Sequence, residues 1–389
     1  MRSNEPLNFN AAACFRRMQR SDAPLCEDLE DHFKDLYRQF LNVLMIYDRQ
    51  EHLQVKPYQR EKKRRDQANG FYSRFLTSSF GTVELQVPRT RSGKFQTQVL
   101  ERYQRRTGPV DQAIKQVFLS GVSTRQTGAA LAGLLGDRVS AGTVSDVSKM
   151  LDEEVWQWHF RTLKDQYEYL FFDGVSVRIR LAGKVKRRMV LCAYGIATQG
   201  QRELIDFLIV KAESEENWKN FLLNLFHRGL KGAPLQLITT DGNPGLDAAL
   251  HYTWPRAAHQ RCWAHKLRNV ENKLKAAQGA CLNEAKMIYL AKNRKEALKR
   301  FTVWKEQWKE SAPKAVQCLE EDLEAMLAFF DCPIKRWIKI RTTNVIERAF
   351  VEVRRRIRTM CSFTTQSSCE RILFSVFNRM NSNWEKRRL

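Results

Sequence analysis

Long hydrophobic runs are missing from this sequence. None approaches the ~20 apolar residues that a helix needs to cross a bilayer, so a membrane-embedded function is not expected. The N-terminus also lacks the apolar core of a secretion signal, and the expected location is the cytoplasm. Cysteines at metal-binding spacing are absent too. The nine cysteines, at 14, 26, 192, 262, 281, 318, 332, 361 and 369, are scattered and include no C-x-x-C pair, so neither a disulfide framework nor a cysteine-rich zinc finger is indicated. Acidic residues are scarce against basic ones, 43 to 66, for a net charge of +23. Such an excess points to a polyanionic partner, nucleic acid ahead of an anionic membrane surface, and to association with the nucleoid.

Apolar residues make up 43% of the 389 positions, enough for a sizeable core in two or three domains. Residues 1–60 form an N-terminal helical region of unknown role. Within it, Leu29, Phe33, Leu36, Phe40 and Leu44 recur at helical spacing and predict one amphipathic helix over 25–47. A basic run over 60–65 reads as a solvated face. Residues 61–105 read as a basic β-hairpin region. Thr82-Val-Glu-Leu-Gln-Val-Pro88 alternates like a strand, Arg89, Arg91 and Lys94 lie in a basic turn suited to phosphates, and 95–100 would return as the partner strand. Residues 106–160 hold three short helices, over 110–119, 124–135 and 140–151. Ser140 is placed to cap the third, leaving Thr143 and Ser145 on its first turns. That spacing resembles a helix-turn-helix DNA reader, though many small helical domains share it.

Two apolar runs end in Asp-Gly. Tyr169-Leu-Phe-Phe-Asp173-Gly174 and Leu235-Gln-Leu-Ile-Thr-Thr-Asp241-Gly242 both read as buried strands closed by a carboxylate. Asp-Gly is also ordinary turn punctuation. Across 161–265 the order of elements is three strands, a helix, a strand and a helix, which matches an RNase H-like core. Asp173 and Asp241 would then lie on adjacent strands. Residues 266–335 lose β character and read as an all-α insertion. Residues 336–389 return as C-terminal helices of the core, and from 335 onward there are 14 Lys/Arg against 4 Asp/Glu.

Phosphodiester chemistry with divalent ions needs carboxylates converging from separate elements. The best third candidate is Glu347, beside a helical face formed by Ile346, Phe350, Val353 and Ile357. Asn344-x-x-Glu347 is equally a capping box, and Glu352 is a rival carboxylate.

Three ordered blocks carry a family resemblance: Leu237-Ile-Thr-Thr-Asp241-Gly-Asn-Pro-Gly245, Gln260-Arg-Cys262-Trp-Ala-His265-Lys-Leu-Arg268-Asn269, and Arg341-Thr-Thr-Asn-Val-Ile-Glu347-Arg348. From about residue 70 onward, including Val87-Pro-Arg89 and Gly121-Val-Ser-Thr-Arg125, the chain resembles the Mutator-type transposases of bacterial insertion sequences. The resemblance implies an RNase H-like catalytic domain interrupted by an all-α insertion, with a DDE triad at Asp173, Asp241 and Glu347. The three are separated by 68 residues (173 to 241) and 106 residues (241 to 347). They would hold two Mg²⁺ or Mn²⁺. The implied activity is cleavage and strand transfer at terminal inverted repeats, with target DNA as second substrate and a homodimer joining two ends.

Cys262 and His265 fall on the family's C-x-x-H element, which implies an auxiliary role near the active site. One Cys and one His make only half a zinc site. Arg348 is the expected basic helper, and Arg354, Arg355, Arg356 and Arg358 the expected phosphate grip. Two positions depart from the family pattern: Asn243 replaces a common His, and Cys361 a common Gly. A structure-selective nuclease on the same fold and a catalytically silent DNA-binding regulator are the competing readings.

Overall fold

The computed structural model describes residues 25–54, 65–120, 122, 124–135, 139–275, 278–357, 362–385 and 387, without the side chains at 25–28, 134 and 356–357. The expectations for residues 1–24, the 60–64 basic run, the turn residues Gly121 and Ser123, Arg358, Cys361 and the side chain of Arg356 therefore lie outside the described residues. The chain forms two compact units, Met1–Lys149 and Met150–Leu389. No helix among the described residues is long and apolar enough to cross a membrane.

In the first unit, helix α1 (Leu25–Leu53) packs on an antiparallel hairpin of β1 (Ala68–Ser78) and β2 (Gly81–Thr90). Two expectations change here. The buried stripe of α1 is Leu41, Met45 and Leu53, whereas Leu29, Phe33, Phe40 and Leu44 are exposed. Helical periodicity locates an apolar face but not which of two stripes meets the hairpin. The partner of β2 is the upstream strand β1, in the register Tyr72↔Val87 and Leu76↔Val83, and 95–100 is not a strand. That segment is claimed by α1 instead: Asp48 Oδ2 accepts from the Thr97 hydroxyl at 2.7 Å and the Gln98 N–H at 2.6 Å.

The three short helices follow as α2 (Gly108–Leu119), α3 (Thr124–Leu135) and α4 (Ala141–Lys149). Val110, Ile114, Phe118, Leu131, Val144 and Val147 are buried. Ser140 Oγ accepts from the Thr143 N–H at 3.0 Å, the expected cap. Gly128 has a steric reason: a Cβ there would lie 1.8 Å from the Val139 carbonyl oxygen as the chain turns into α4.

The second unit opens with α5 (Leu151–Phe160) and a five-stranded sheet: β3 (Tyr167–Leu181), β4 (Lys184–Ala197), β5 (Arg202–Val210), β6 (Leu237–Thr240) and β7 (Ala258–Arg261). The order is β5-β4-β3-β6-β7. The first three strands are antiparallel to one another, and β6 and β7 join parallel to β3. Helices α6 (Glu215–His227) and α7 (Pro244–Thr253) bury Trp218, Phe221, Leu222, Leu246 and Leu250 against Leu170, Phe172 and Ile238. The all-α segment comprises α8 (Trp263–Glu271), α9 (Gly279–Tyr289), α10 (Arg294–Trp308), α11 (Pro313–Glu320) and α12 (Leu323–Leu327), and a short α13 (Trp337–Ile340) follows. On the other sheet face, α15 (Gln366–Glu385) brings Phe377 to Phe207 and Trp384 to Tyr194, with ring centroids 5.4 and 5.7 Å apart, and Phe350 of α14 (Asn344–Ile357) packs on Phe377 at 6.3 Å.

Grouped by sequence with the preceding helices, α5 in fact packs in the second unit. Its Trp158 meets Phe207 and Phe374. Its Asp152 receives a bidentate Arg371, at 2.6 and 2.7 Å. Its His159 Nδ1 lies 2.7 Å from Asp206, a fully buried carboxylate that also pairs with Arg228. Removing one member of a buried ion pair strands a charge and costs about 3–5 kcal/mol, whereas an exposed pair is worth about 0–1 kcal/mol. Arg228→Ala should therefore lose at least about 3 kcal/mol in a denaturant melt. Lys149→Ala, which breaks an exposed pair with Asp146, should lose under about 1 kcal/mol. Equal losses would contradict this ranking.

Candidate active site

Strand β3 runs on through Asp173 to Leu181, so Asp173-Gly174 is not a turn. β6 pairs with it only through Phe172↔Thr240, so Asp173 marks the place where the parallel half of the sheet stops. Asp241 follows β6 directly and accepts from the Asn243 N–H at 3.0 Å. Gly242 between them has φ +94°, and a Cβ there would run into the Arg261 guanidinium. Asn243, the departure from the expected pattern, caps α7: its Oδ1 accepts from the N–H groups of Gly245 and Leu246 at 2.9 and 3.2 Å.

The Gln260–Asn269 block binds the all-α segment to this edge. Gln260 accepts from the Phe329 N–H at 2.8 Å and donates to the Met326 carbonyl, which also accepts from the Trp263 indole at 2.7 Å. The segment before α14 is stitched on as well. Thr239 Oγ1 donates to the Ile340 carbonyl at 2.6 Å, the Trp263 N–H donates to the Arg341 carbonyl at 3.0 Å, and the Thr343 N–H donates to Cys262 Sγ at 3.3 Å. These bonds deliver Glu347 to the site. Its Oε1 lies 3.3 Å from both His265 Nε2 and Arg268 Nη2. The helix opens at Asn344, and its carboxylate turns toward α8 rather than back along its own first turn. The rival Glu352 is 3.6 Å from Arg379.

Electrostatics define the cluster. Asp173 is buried and its Oδ2 has no hydrogen-bond partner. Burial, with further repulsion from Asp241 and Glu347, pushes its carboxyl up to about 7, against the pull of His265 and Thr343. The hydrogen bond that His265 donates to Cys262 is the largest influence on the imidazole; with the charges of Cys262, Asp173 and Asp241 it outweighs burial and raises it to about 9. For Cys262, burial alone would raise the thiol, but His265 and the Thr343 donors bring it below its ordinary value. The site thus holds a built-in imidazolium among carboxylates.

Sequence reasoning missed Arg268, Thr343 and Glu213. Glu213 precedes α6, accepts from the Trp218 indole at 3.0 Å, and is raised by burial and then by Asp241. Gly174 makes room for it: a Cβ there would lie 2.8 Å from the Glu213 carboxylate. Arg348 is exposed and forms no ion pair among the described residues. Arg354 and Arg355 are exposed on α14, Arg89, Arg91 and Lys94 are exposed on the hairpin unit, and Thr143 and Ser145 are half-buried.

As placed, no three His, Cys, Asp or Glu side chains among the described residues converge closely enough to hold a metal ion. The donor chemistry nevertheless fits a hard divalent cation. Carboxylate oxygens predominate, and the unpartnered Asp173 Oδ2 is a buried anionic oxygen for which the protein supplies no donor.

A mixed sheet with ionisable side chains gathered beyond the carboxyl ends of its parallel strands is the arrangement of an α/β enzyme. A model of the Mutator family of transposases matches residues 11–387. The chain belongs to that family. It is 33% identical over 355 residues to the transposase for insertion sequence element ISRM5 of Rhizobium meliloti, covering 91% of this chain and 89% of that one. It is also 33% identical over 363 residues to the transposase for IS256 in transposon Tn4001 of Staphylococcus aureus, covering 91% of each. The transposase for IS905 of Lactococcus lactis is 30% identical, over 93% of this chain and 92% of its own length. Among solved structures, the Mos1 strand transfer complex matches 64% of this chain and 80% of its own at 15% identity, with a TM-score of 0.20 that carries no weight for the fold.

Two outcomes test these electrostatics. Because Asp173 titrates higher folded than unfolded, its ionisation destabilises the protein progressively from the ordinary carboxylate value of 3.8 up to about 7. In chelator-treated protein, Asp173→Asn should therefore raise stability at pH 8 by on the order of 4 kcal/mol, and by much less at pH 5. A pH-independent difference would refute the raised value. By NMR titration His265 should keep its proton up to about 9, and Cys262→Ala should bring it down toward 6.5.

Proposed function

We propose that the chain binds the terminal inverted repeats of an insertion sequence and carries out metal-dependent strand cleavage followed by strand transfer into target DNA. The observation that carries this reading is that Asp173, Asp241 and Glu347, from three stretches of chain far apart in sequence, lie near enough to one another and to His265 for their charges to couple. The strand order β5-β4-β3-β6-β7 supports an RNase H-like catalytic domain, interrupted by the all-α segment. The three acids would serve as a DDE triad holding two Mg²⁺ or Mn²⁺.

Divalent ions bound there would neutralise charge on the attacking and leaving oxygens of an in-line displacement. The protein's own groups do the positioning. Thr343 and Cys262 orient the His265 ring, and His265 with Arg268 holds the Glu347 carboxylate. The Asp173 oxygen, with no protein donor, is left available to a cation. Water would attack one phosphodiester and free a 3′-hydroxyl, which would then attack a target phosphodiester and release its 3′ oxygen as leaving group.

The three-helix region would read DNA through Thr143 and Ser145, and the hairpin unit would contact phosphates through Arg89, Arg91 and Lys94. Arg354 and Arg355, with Arg356 and Arg358 beside them in sequence, would grip the backbone near Glu347. The working form would be a homodimer joining two ends in the cytoplasm, at the nucleoid.

Asp173→Asn and Asp241→Asn should each abolish cleavage of an end-bearing duplex while leaving salt-sensitive DNA binding intact. Unchanged cleavage in either variant would sink the assignment. With pre-cut ends, the wild-type protein should join them to target DNA, whereas a nuclease would release fragments without joining.

A further inference from the structure

Beyond Asp173 the β3–β4 pair continues without β6 beside it. Eight further residues of β3 extend past the carboxylate, about 26 Å at the usual strand rise, before the turn at Ala182 and Gly183. Both turn residues have positive φ, 48° and 78°, the twist-matched geometry of a tight hairpin. The arm carries Arg178, Arg180, Lys184, Lys186, Arg187 and Arg188, and no Asp or Glu occurs anywhere in 177–189.

Its two faces differ. Val177 and Ile179 are buried, and the Ile179 edge is sealed by Phe363: the Arg180 N–H donates to the Phe363 carbonyl and the Phe363 N–H to the Arg178 carbonyl, each at 2.9 Å. The register Arg178↔Arg187 and Arg180↔Val185 puts Arg178, Arg180 and Arg187 together on the opposite, exposed face. Directly opposed residues have Cβ atoms about 5 Å apart, and like charges so placed repel. None of the three guanidinium groups has an acidic partner among the described residues. A cross-strand arginine pair with a third arginine alongside is a cost to the isolated fold that an anion between them removes. Guanidinium is also the group best shaped for bidentate phosphate contact.

We propose that this arm is a phosphate-backbone clamp for duplex DNA passing the end of the sheet, with Arg178, Arg180 and Arg187 as its contact face. This rests on the transposase reading, and it assigns DNA contact to residues outside both the hairpin unit and the α14 arginine cluster. The clamp reads charge and not bases, so it serves target and end DNA alike.

The test is equilibrium binding of the full-length chain to a random-sequence duplex and to an end-bearing duplex, from 50 to 200 mM salt. Each phosphate contact contributes about 0.9 to the slope of log affinity against log salt. Arg178→Ser/Arg180→Ser/Arg187→Ser should therefore flatten the slope by about 2–3 on both duplexes and weaken low-salt affinity at least tenfold. Arg178→Lys/Arg180→Lys/Arg187→Lys, which keeps the charge, should restore most of both; this separates a phosphate clamp from a variant that merely unfolds the arm. An unchanged slope and affinity in the serine variant, with wild-type binding intact, would overturn the clamp and leave the transposase reading standing. A loss confined to the end-bearing duplex would overturn the backbone-only reading of the arm. Absence of salt-dependent binding in the wild type would instead overturn the DNA-binding function itself.

Discussion

Glu347 reaches the sheet because the backbone ahead of its helix is hydrogen-bonded to the ends of the parallel strands. Ile340, Arg341 and Thr343 each make such a bond, to Thr239, Trp263 and Cys262. All of these residues but the half-buried Arg341 are buried, where a lost partner costs far more than in water. That seam closes a loop of about a hundred residues, and the all-α segment within it is held by Gln260 and Trp263 gripping Met326 and Phe329. The residues flanking Cys262 and His265 are thus structural fasteners, and the site is assembled where they fasten.

Charge balance follows from the same seam. Three carboxylates and Glu213 nearby could not share this space unrelieved. His265, kept protonated by Cys262 and by the acids themselves, supplies one positive charge, and Arg268 supplies another at the rim. The balance is incomplete at Asp173, whose buried oxygen has no donor. An unsatisfied buried group of this kind is tolerated where function requires it, and a divalent cation is the natural complement.

Much of the core was legible from residues alone. The strands at 167–181, 184–197 and 202–210 and the helices flanking them match their periodicity, because strongly apolar segments leave few alternatives. The short β7 leaves no mark in the pattern, since Ala258–Arg261 is only four residues long and carries no alternation. Pattern alone does not choose the hairpin partner of β2, because the segments on either side of it are both strand-like. Only the hydrogen bonds from Thr97 and Gln98 to Asp48 show which one was spent elsewhere.

Composition and order by themselves determined a basic, nucleic-acid-directed α/β chain with two Asp-Gly strand ends and a distant glutamate. Only the tertiary structure decided that Glu347 faces His265 and Arg268 rather than its own helix start, that Glu352 turns away to Arg379, and that Arg268 stands where Arg348 was expected. Periodicity reports which residues can share a face of one element. Which carboxylate meets which cation depends on how elements a hundred residues apart are joined, and that is set by a few buried hydrogen bonds with no signature in local sequence.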